Sequence, residues 1–172
     1  RKEFHDADHE QGMDEFKVRI RGQLSNENAE NNFLRLISGD INEHVQMARE
    51  LDFKTPENGA TFYSGPIAKK KAWQHAISIG SKAIEQTPGG NTFETWPWFN
   101  KKAFPENKWG TKGKDDQSIV WSALSQVYAE NAHGQAEVFQ EYEGNIWKGY
   151  EKPTLTKRGI PYIVHKVSSN DA

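Results

Sequence analysis

The order of elements in the second half of the chain restricts the fold more than any other feature of the sequence. Residues 117–133 repeat apolar side chains at helical spacing, and Gly134 ends this predicted helix. Residues 135–142 then alternate as a strand does, and residues 161–167 form a second, more apolar strand. A helix followed by separate strands predicts an α/β or α+β domain.

The predicted helices are concentrated in the first half of the chain, and a non-helical segment follows them. Residues 88–90, Pro-Gly-Gly, are a firm stop, and residues 91–116 form a long aromatic loop. Asp115 and Asp116, at the end of that loop, are predicted to cap the helix that follows. Further helices are predicted over residues 27–38, 41–51 and 64–78, and a short strand over 61–63.

Composition excludes several classes of function. The chain has no cysteine, so disulfides, thiolate chemistry and cysteine-based zinc sites are excluded. The net charge of −2 lacks the strong positive field of a general nucleic-acid binder, which also disfavours a nuclease. No run of residues approaches the roughly 20 apolar positions of a membrane helix. His5, Asp6, His9 and Glu10 resemble metal ligands, but no second cluster completes a site, so we interpret them as a charged tail and predict no metal.

A few side chains could carry chemistry, and each also has an ordinary structural explanation. Trp121 and Ser125 lie one helical turn apart, so a ring and a hydroxyl could face one ligand or could lie at the edge of the core. Glu151 follows aromatic residues that include Trp147 and could desolvate it, whereas most glutamates lie on the surface. Glu85 precedes the Pro-Gly-Gly turn, where a backbone can approach a ligand closely, or it is an ordinary turn carboxylate.

Four blocks of sequence occur in an order that one known family shares. The blocks are Phe62-Tyr63-Ser64-Gly65, Ile84-Glu85-Gln86-Thr87, Trp121 through Gly134, and Gly149-Tyr150-Glu151-Lys152-Pro153-Thr154-Leu155. Together they resemble the ADP-ribosyl cyclase family of NAD glycohydrolases over residues 60–167, and the last two blocks are the most specific. The chain departs from the family at Tyr63, where the family has an active-site tryptophan, and at Gln86, which replaces an acidic residue.

The same blocks also resemble a version of this family found in bacterial polymorphic toxins. Residues 85–90, Glu-Gln-Thr-Pro-Gly-Gly, and the pair Ile146-Trp147 fit the toxin domains better than the animal enzymes. The animal enzymes are rich in disulfides, whereas a cysteine-free chain fits a reducing cytosol. The resemblance therefore implies a secreted or delivered effector domain that depletes NAD in the cytoplasm of a target cell. It also implies a cognate immunity protein as partner.

The resemblance implies an α/β (α+β) fold in which a helical N-terminal lobe packs on a small, mostly parallel C-terminal sheet. In this organisation residues 1–59 are a lead-in and helical segment, and residues 60–172 are the catalytic region. It further implies that NAD+ is the substrate and that no cofactor is needed. Cleavage of the nicotinamide–ribose bond would release nicotinamide and ADP-ribose, or cyclic ADP-ribose if adenine attacks in place of water.

Roles for individual residues follow from the same resemblance. Glu151 would stabilise the ribosyl cation that forms as nicotinamide leaves. Glu85 would accept hydrogen bonds from the carboxamide of nicotinamide, and Trp121 would stack on its ring. The remaining substrate-binding residues implied are Tyr63 and Trp147, as further stacking rings, and Ser64, Ser125 and Gln86, as polar contacts.

Two other functions stay open at this point. Glu141-Tyr142-Glu143 has the Glu-x-Glu spacing of mono-ADP-ribosyltransferases, although no convincing upstream partner strand accompanies it. A non-enzymatic interaction module, with tryptophans forming a binding patch, is the other alternative. Incubation with labelled NAD+ separates the three hypotheses. A glycohydrolase releases free ADP-ribose, a transferase labels a protein, and an interaction module leaves NAD+ unchanged.

Overall fold

The computed structural model describes residues 41–93 and 112–171, and side chains over 42–93 and 118–170. Three predictions therefore lie outside the described residues: the polar lead-in with its histidines, the helix over 27–38, and most of the aromatic segment 91–116. The chain forms two compact units, each assembled from two stretches. One unit comprises residues 1–51 and 91–121, and the other comprises residues 52–90 and 122–172.

The described part of the first unit is helical. Helix α1, Ile41–Arg49, falls within the helix predicted over 41–51 and buries Met47 and Ala48. Phe93 is also fully buried in this unit, and its ring centroid lies 5.3 Å from that of Trp121.

A three-stranded parallel sheet organises the second unit. Strands β1 (Thr61–Ser64), β2 (Ala136–Gln140) and β3 (Tyr162–Lys166) lie side by side in that order. On β2 the residues alternate between buried and half-buried positions, as the period of two predicts. The predicted α/β class with a small parallel sheet is confirmed.

Helix α2, Pro66–Ser78, follows β1 directly and begins with the predicted proline. Alanines at positions 68, 72 and 76 form its buried face, where small side chains allow a close approach. Gly65 precedes the helix with φ +104°, and a Cβ there would overlap the carboxylate of Glu141. That carboxylate accepts the free N–H groups of Ile67 and Ala68 at 2.8 and 3.3 Å, so it caps the helix.

One predicted stop and one predicted helix start are wrong. Residues 88–90 begin helix α3, Pro88–Phe93, instead of ending structure, because proline is compatible with the first helical turn. Helix α4, Lys112–Glu130, begins before the predicted cap, so Asp115 and Asp116 lie inside it. Acidic residues also favour the first turns of a helix, which explains the ambiguous signal.

A π-helical turn over Trp147–Glu151 and helix α5, Lys152–Lys157, were not predicted. They connect β2 to β3 and complete the hydrophobic core of the second unit. In that core the ring of Phe62 lies 5.3 Å from Tyr128 and 5.7 Å from Trp147. Within the described ranges, no helix has the length and apolar character that crossing a membrane requires.

Candidate active site

Glu85 is a buried carboxylate surrounded by side-chain donors. It lies in a 3-10 turn, Ile84–Gln86, and is only 5 % exposed. The hydroxyl of Tyr63 lies 2.6 Å from Oε1 and 2.7 Å from Oε2, and the indole N–H of Trp73 donates to Oε1 at 3.2 Å. Burial raises the pKa of Glu85, while these two donors and the charge of Lys69 oppose the rise.

The turn that carries Glu85 is fixed by the residues directly after it. The hydroxyl of Thr87 donates to the carbonyl of Ile84 at 2.6 Å and accepts the N–H of Gly90 at 3.1 Å. Gly90 consequently lies against the backbone of residues 84 and 85. The close backbone approach predicted at Pro-Gly-Gly therefore occurs, but within the protein.

Replacing Gly90 by alanine is expected to destabilise the second unit. The new Cβ would overlap the carbonyl oxygen of Ile84 and lie 2.7 Å from the Cα of Glu85, and backbone cannot rotate away as a side chain does. Overpacking of this kind costs about 1–3 kcal/mol. Chemical denaturation measures the loss. Gly149→Ala is the matched control, because a Cβ at Gly149 meets nothing within 4 Å. Equal stability of the two variants would contradict the prediction.

Gln86, predicted to contact substrate, is used locally. Its Oε1 accepts the N–H of Ala83 at 2.8 Å and so closes the same 3-10 turn. The structure thus gives Gln86 a role in shaping the position of Glu85, and its polar contact with substrate stays a prediction.

Glu151 is the second buried carboxylate, and its surroundings differ from those of Glu85. It ends the π-helical turn and is 7 % exposed. Among the described residues, no group donates a hydrogen bond to its carboxylate. Burial, followed by the charge of Glu85, raises its pKa to about 8. The structure therefore brings the two predicted carboxylates into one electrostatically coupled pair.

Tyr128 lies close enough to both carboxylates to feel their charges. It is completely buried, donates to the carbonyl of Lys82 at 2.8 Å and accepts the N–H of Thr61 at 3.0 Å. Burial is the main cause of its raised pKa, and the charges of Glu151 and Glu85 add to it. Tyr128 is thus a neutral phenol that ties strand β1 to the segment leading to Glu85.

The two predicted serines are both buried. Ser64, at the end of β1, is 7 % exposed, and its hydroxyl oxygen accepts the N–H of Gly144 at 3.2 Å. Its own hydroxyl proton remains available for donation. Ser125 is 2 % exposed, and its hydroxyl has no hydrogen-bond partner within the described part of the chain.

The aromatic residues predicted to stack on a ligand have different environments. Trp147 is 2 % exposed, with its ring 5.7 Å from Phe62 and 5.3 Å from Tyr162, so the structure places it in the core, and its stacking on a ligand stays a prediction. Tyr63 is half-buried and directs its hydroxyl to Glu85, an interaction the sequence did not indicate. Trp121 belongs to the first unit, where it is half-buried beside Phe93, and its stacking role stays a prediction.

Sequence reasoning missed Trp73 and Lys69. They lie one turn apart on α2, with the ammonium nitrogen 5.3 Å from the indole centroid. The spacing of four residues is a visible signal for a cation–aromatic pair on a helix. No sequence pattern indicates that the indole N–H of this pair reaches Glu85, which is twelve residues further along.

The Glu-x-Glu alternative has a structural explanation in the second unit. Glu141 caps helix α2, as described above, and Glu143 lies on the surface with one oxygen 3.9 Å from the ammonium of Lys152. In the residues that the structure describes, no three potential ligands cluster as a metal site would require.

Fold and site together define an α/β domain with a parallel three-stranded sheet and a buried carboxylate pair. Among solved structures, the chain is similar to one of CD38. That structure comes from a study of the catalytic mechanism of CD38, which describes a conformationally flexible covalent enzyme–substrate complex. The TM-score is 0.61 with 13 % sequence identity, over 94 % of this chain and 92 % of that one. No protein-family model and no curated protein matches the chain. At this identity the similarity shows the fold alone.

Proposed function

We propose that the chain is an NAD+ glycohydrolase. The observation that carries the proposal is the coupled pair of buried carboxylates, Glu85 and Glu151, at the two positions that the sequence resemblance marks. The fold supports it, because CD38 is an ADP-ribosyl cyclase and this chain has a similar fold. A buried pair of carboxylates is costly to maintain and is typical of a functional site.

The environment of Glu151 suits a reaction that creates positive charge. In the free protein most of Glu151 is protonated at neutral pH, since its pKa lies at about 8. The pyridinium ring of NAD+ is a cation, and a nearby cation favours the ionised carboxylate. Substrate binding would therefore release the proton from Glu151 and leave a poorly solvated anion beside the ribose. Such an anion stabilises an oxocarbenium-like transition state strongly.

The proposed reaction balances without a cofactor. The bond between the ribose carbon and the pyridinium nitrogen breaks, and its electron pair stays on nitrogen, so nicotinamide leaves as a neutral molecule. Water adds to the ribose carbon and loses one proton, which gives ADP-ribose. Attack by the adenine ring in place of water would give cyclic ADP-ribose.

The remaining predicted residues would bind and orient the substrate. Glu85 would accept the carboxamide N–H groups of nicotinamide, because an ionised carboxylate is an acceptor only. Ser64 and Ser125 have buried hydroxyls with donor capacity, so they would donate to oxygens of ribose or pyrophosphate. The stacking role that the resemblance implies for Trp121 belongs to the same proposal.

We further propose that the domain is a toxin effector that is delivered into target cells and neutralised by an immunity protein. The toxin-like blocks and the absence of cysteine support this hypothesis. Production of the domain inside bacteria should lower their NAD+ content and stop growth, and an inactive variant should do neither. Normal growth at full NAD+ content, with active protein present, would contradict the hypothesis.

Incubating the purified protein with NAD+, and identifying products by mass spectrometry over time, tests the enzymatic proposal. We expect nicotinamide to appear together with ADP-ribose or its cyclic form. Glu143→Gln is the matched control, because Glu143 is exposed and should be dispensable for hydrolysis. Label transferred to protein, or activity lost in Glu143→Gln, would favour the transferase. Unchanged NAD+ would overturn the proposal.

A further inference from the structure

Apart from the N–H of its own residue, the carboxylate of Glu85 accepts hydrogen bonds from side chains. Its donors are the phenol of Tyr63 and the indole of Trp73, at 2.6–3.2 Å. Within the described residues, no backbone N–H of another residue donates to this carboxylate. Glu141 shows the contrasting arrangement, because it accepts two backbone N–H groups and thereby completes helix α2.

This contrast indicates that Glu85 does not serve to satisfy backbone N–H groups of other residues. Replacing all three side chains of the cluster by apolar ones would leave no backbone N–H of another residue unsatisfied, and only the N–H of Glu85 itself would lose its bond to the carboxylate. Burying a carboxylate that satisfies no backbone group of another residue is unfavourable, and apolar replacements of such clusters are often neutral or stabilising. The phenol and the indole therefore serve the carboxylate, which must be needed in its ionised form.

Lys69 supplies a third contribution from the same helix face. Its ammonium lies 5.3 Å from the ring centroid of Trp73, and its charge favours the ionised form of Glu85. Two titratable groups of neighbouring elements, Tyr63 on β1 and Lys69 on α2, act on the pKa of Glu85. The charge of Glu85 acts in turn on Tyr128 on α4 and on Glu151 in the π-helical turn.

The two carboxylate oxygens are not equivalent. Of the side-chain donors, both Tyr63 and Trp73 bond to Oε1, whereas Tyr63 alone bonds to Oε2, through the proton it shares between the two oxygens. An ionised carboxylate has about four acceptor positions, so Oε2 keeps the greater capacity for a further donor. We propose that Tyr63 and Trp73 are positioning residues that hold Glu85 ionised, with Oε2 available to a donor group of the ligand. The inference rests on the proposed function, in which that donor is a carboxamide N–H.

Carboxyl titration by NMR tests the inference without any need for turnover. Protein labelled at the glutamate carboxyl carbons is titrated, and the Glu85 signal is assigned by its loss in Glu85→Gln. The hydrogen bond from the phenol of Tyr63 stabilises the ionised form of Glu85, and Tyr63→Phe removes it. The titration midpoint of Glu85 should therefore rise by about one to two pH units in this variant. Trp73→Phe should raise it by less, since its bond is single and longer.

The control in this experiment is Glu143→Gln, which lies on the surface and should leave the midpoint unchanged. An unchanged midpoint in folded Tyr63→Phe would overturn the inference. If that variant does not fold, Trp73→Phe gives the decision by the same criterion. Because the readout is a titration, it stays informative even if the wild-type protein leaves NAD+ intact, so the two failures are distinguishable.

Kinetics provide a second test once NAD+ turnover is established. Tyr63→Phe keeps the aromatic ring and loses only the hydroxyl, so it separates positioning from stacking. We expect kcat/KM to fall about 10- to 100-fold at pH 6, with most of the loss in KM, and to recover as the pH rises. In a Glu85→Gln background the same substitution should cause no further loss. An equal loss in both backgrounds would show that Tyr63 acts independently of Glu85 and would overturn the inference.

Discussion

Substituting Glu151 by glutamine should reduce NAD+ consumption by about a thousandfold, as expected when one pre-organised electrostatic group is removed from a water-poor site. Glutamine keeps the size and shape of glutamate, but it cannot become an anion. The amide therefore offers only a weak dipole to the ribosyl cation. We expect the loss to appear in kcat, because the interaction develops only as nicotinamide departs.

The substitution is a clean test because Glu151 contributes little to the architecture. Among the described residues, none donates a hydrogen bond to its carboxylate, so glutamine breaks no existing hydrogen bond. The side chain is 7 % exposed, and an isosteric replacement keeps the packing. Circular dichroism and the denaturation midpoint verify that the fold is retained.

Single-turnover measurements with NAD+ give the rate of the chemical step directly. Glu143→Gln, which changes an exposed carboxylate, should keep the wild-type rate. A folded Glu151→Gln protein that consumes NAD+ within a few-fold of wild type would remove Glu151 from the mechanism. Loss of activity in both variants would indicate that charge in this region matters more generally.

The regular elements of the second unit follow from sequence patterns. Alternation over 135–142 predicts β2, and Pro66 after a short apolar run predicts the start of α2. Those patterns are local, since they depend on residues that are neighbours along the chain. The segment from Trp147 to Glu151 has no such pattern, because a π-helical turn exists only where the surrounding core stabilises it.

The site shows the same limit at the level of single side chains. The sequence indicated Glu85 and Glu151, and the structure brings them into one coupled pair. It could not indicate that Trp147 lies in the core or that the hydroxyl of Tyr63 binds Glu85. Both are contacts between residues far apart in the chain, so they depend on how β1 and the π-helical turn pack.

The pH dependence of stability should reverse the usual behaviour of a glutamate. The pKa of Glu151 rises from 4.5 to about 8 on folding, so the folded state binds the proton more tightly than the unfolded state. The contribution of this group to stability should therefore be highest below pH 4.5, and it should be lost as the pH rises from 4.5 through 8. Above pH 8 the buried, ionised Glu151 lowers the free energy of unfolding by its full amount, on the order of 3–5 kcal/mol. Each unit by which folding raises the pKa corresponds to about 1.4 kcal/mol.

Glu151→Gln, the substitution that should remove activity, should also remove this loss of stability at high pH. Glu151→Gln has no proton to lose, so we expect it to match wild type near pH 5 and to exceed it in stability by a few kcal/mol at pH 9. Glu85→Gln should give part of the gain, because the charge of Glu85 contributes to the raised pKa of Glu151. Denaturant unfolding at pH 5, 7 and 9 measures the differences, with Glu143→Gln as the surface control. Parallel curves for wild type and Glu151→Gln would mean that Glu151 titrates normally. The proposed release of its proton by the cationic substrate would then have no basis, because the carboxylate would already be ionised in the free protein.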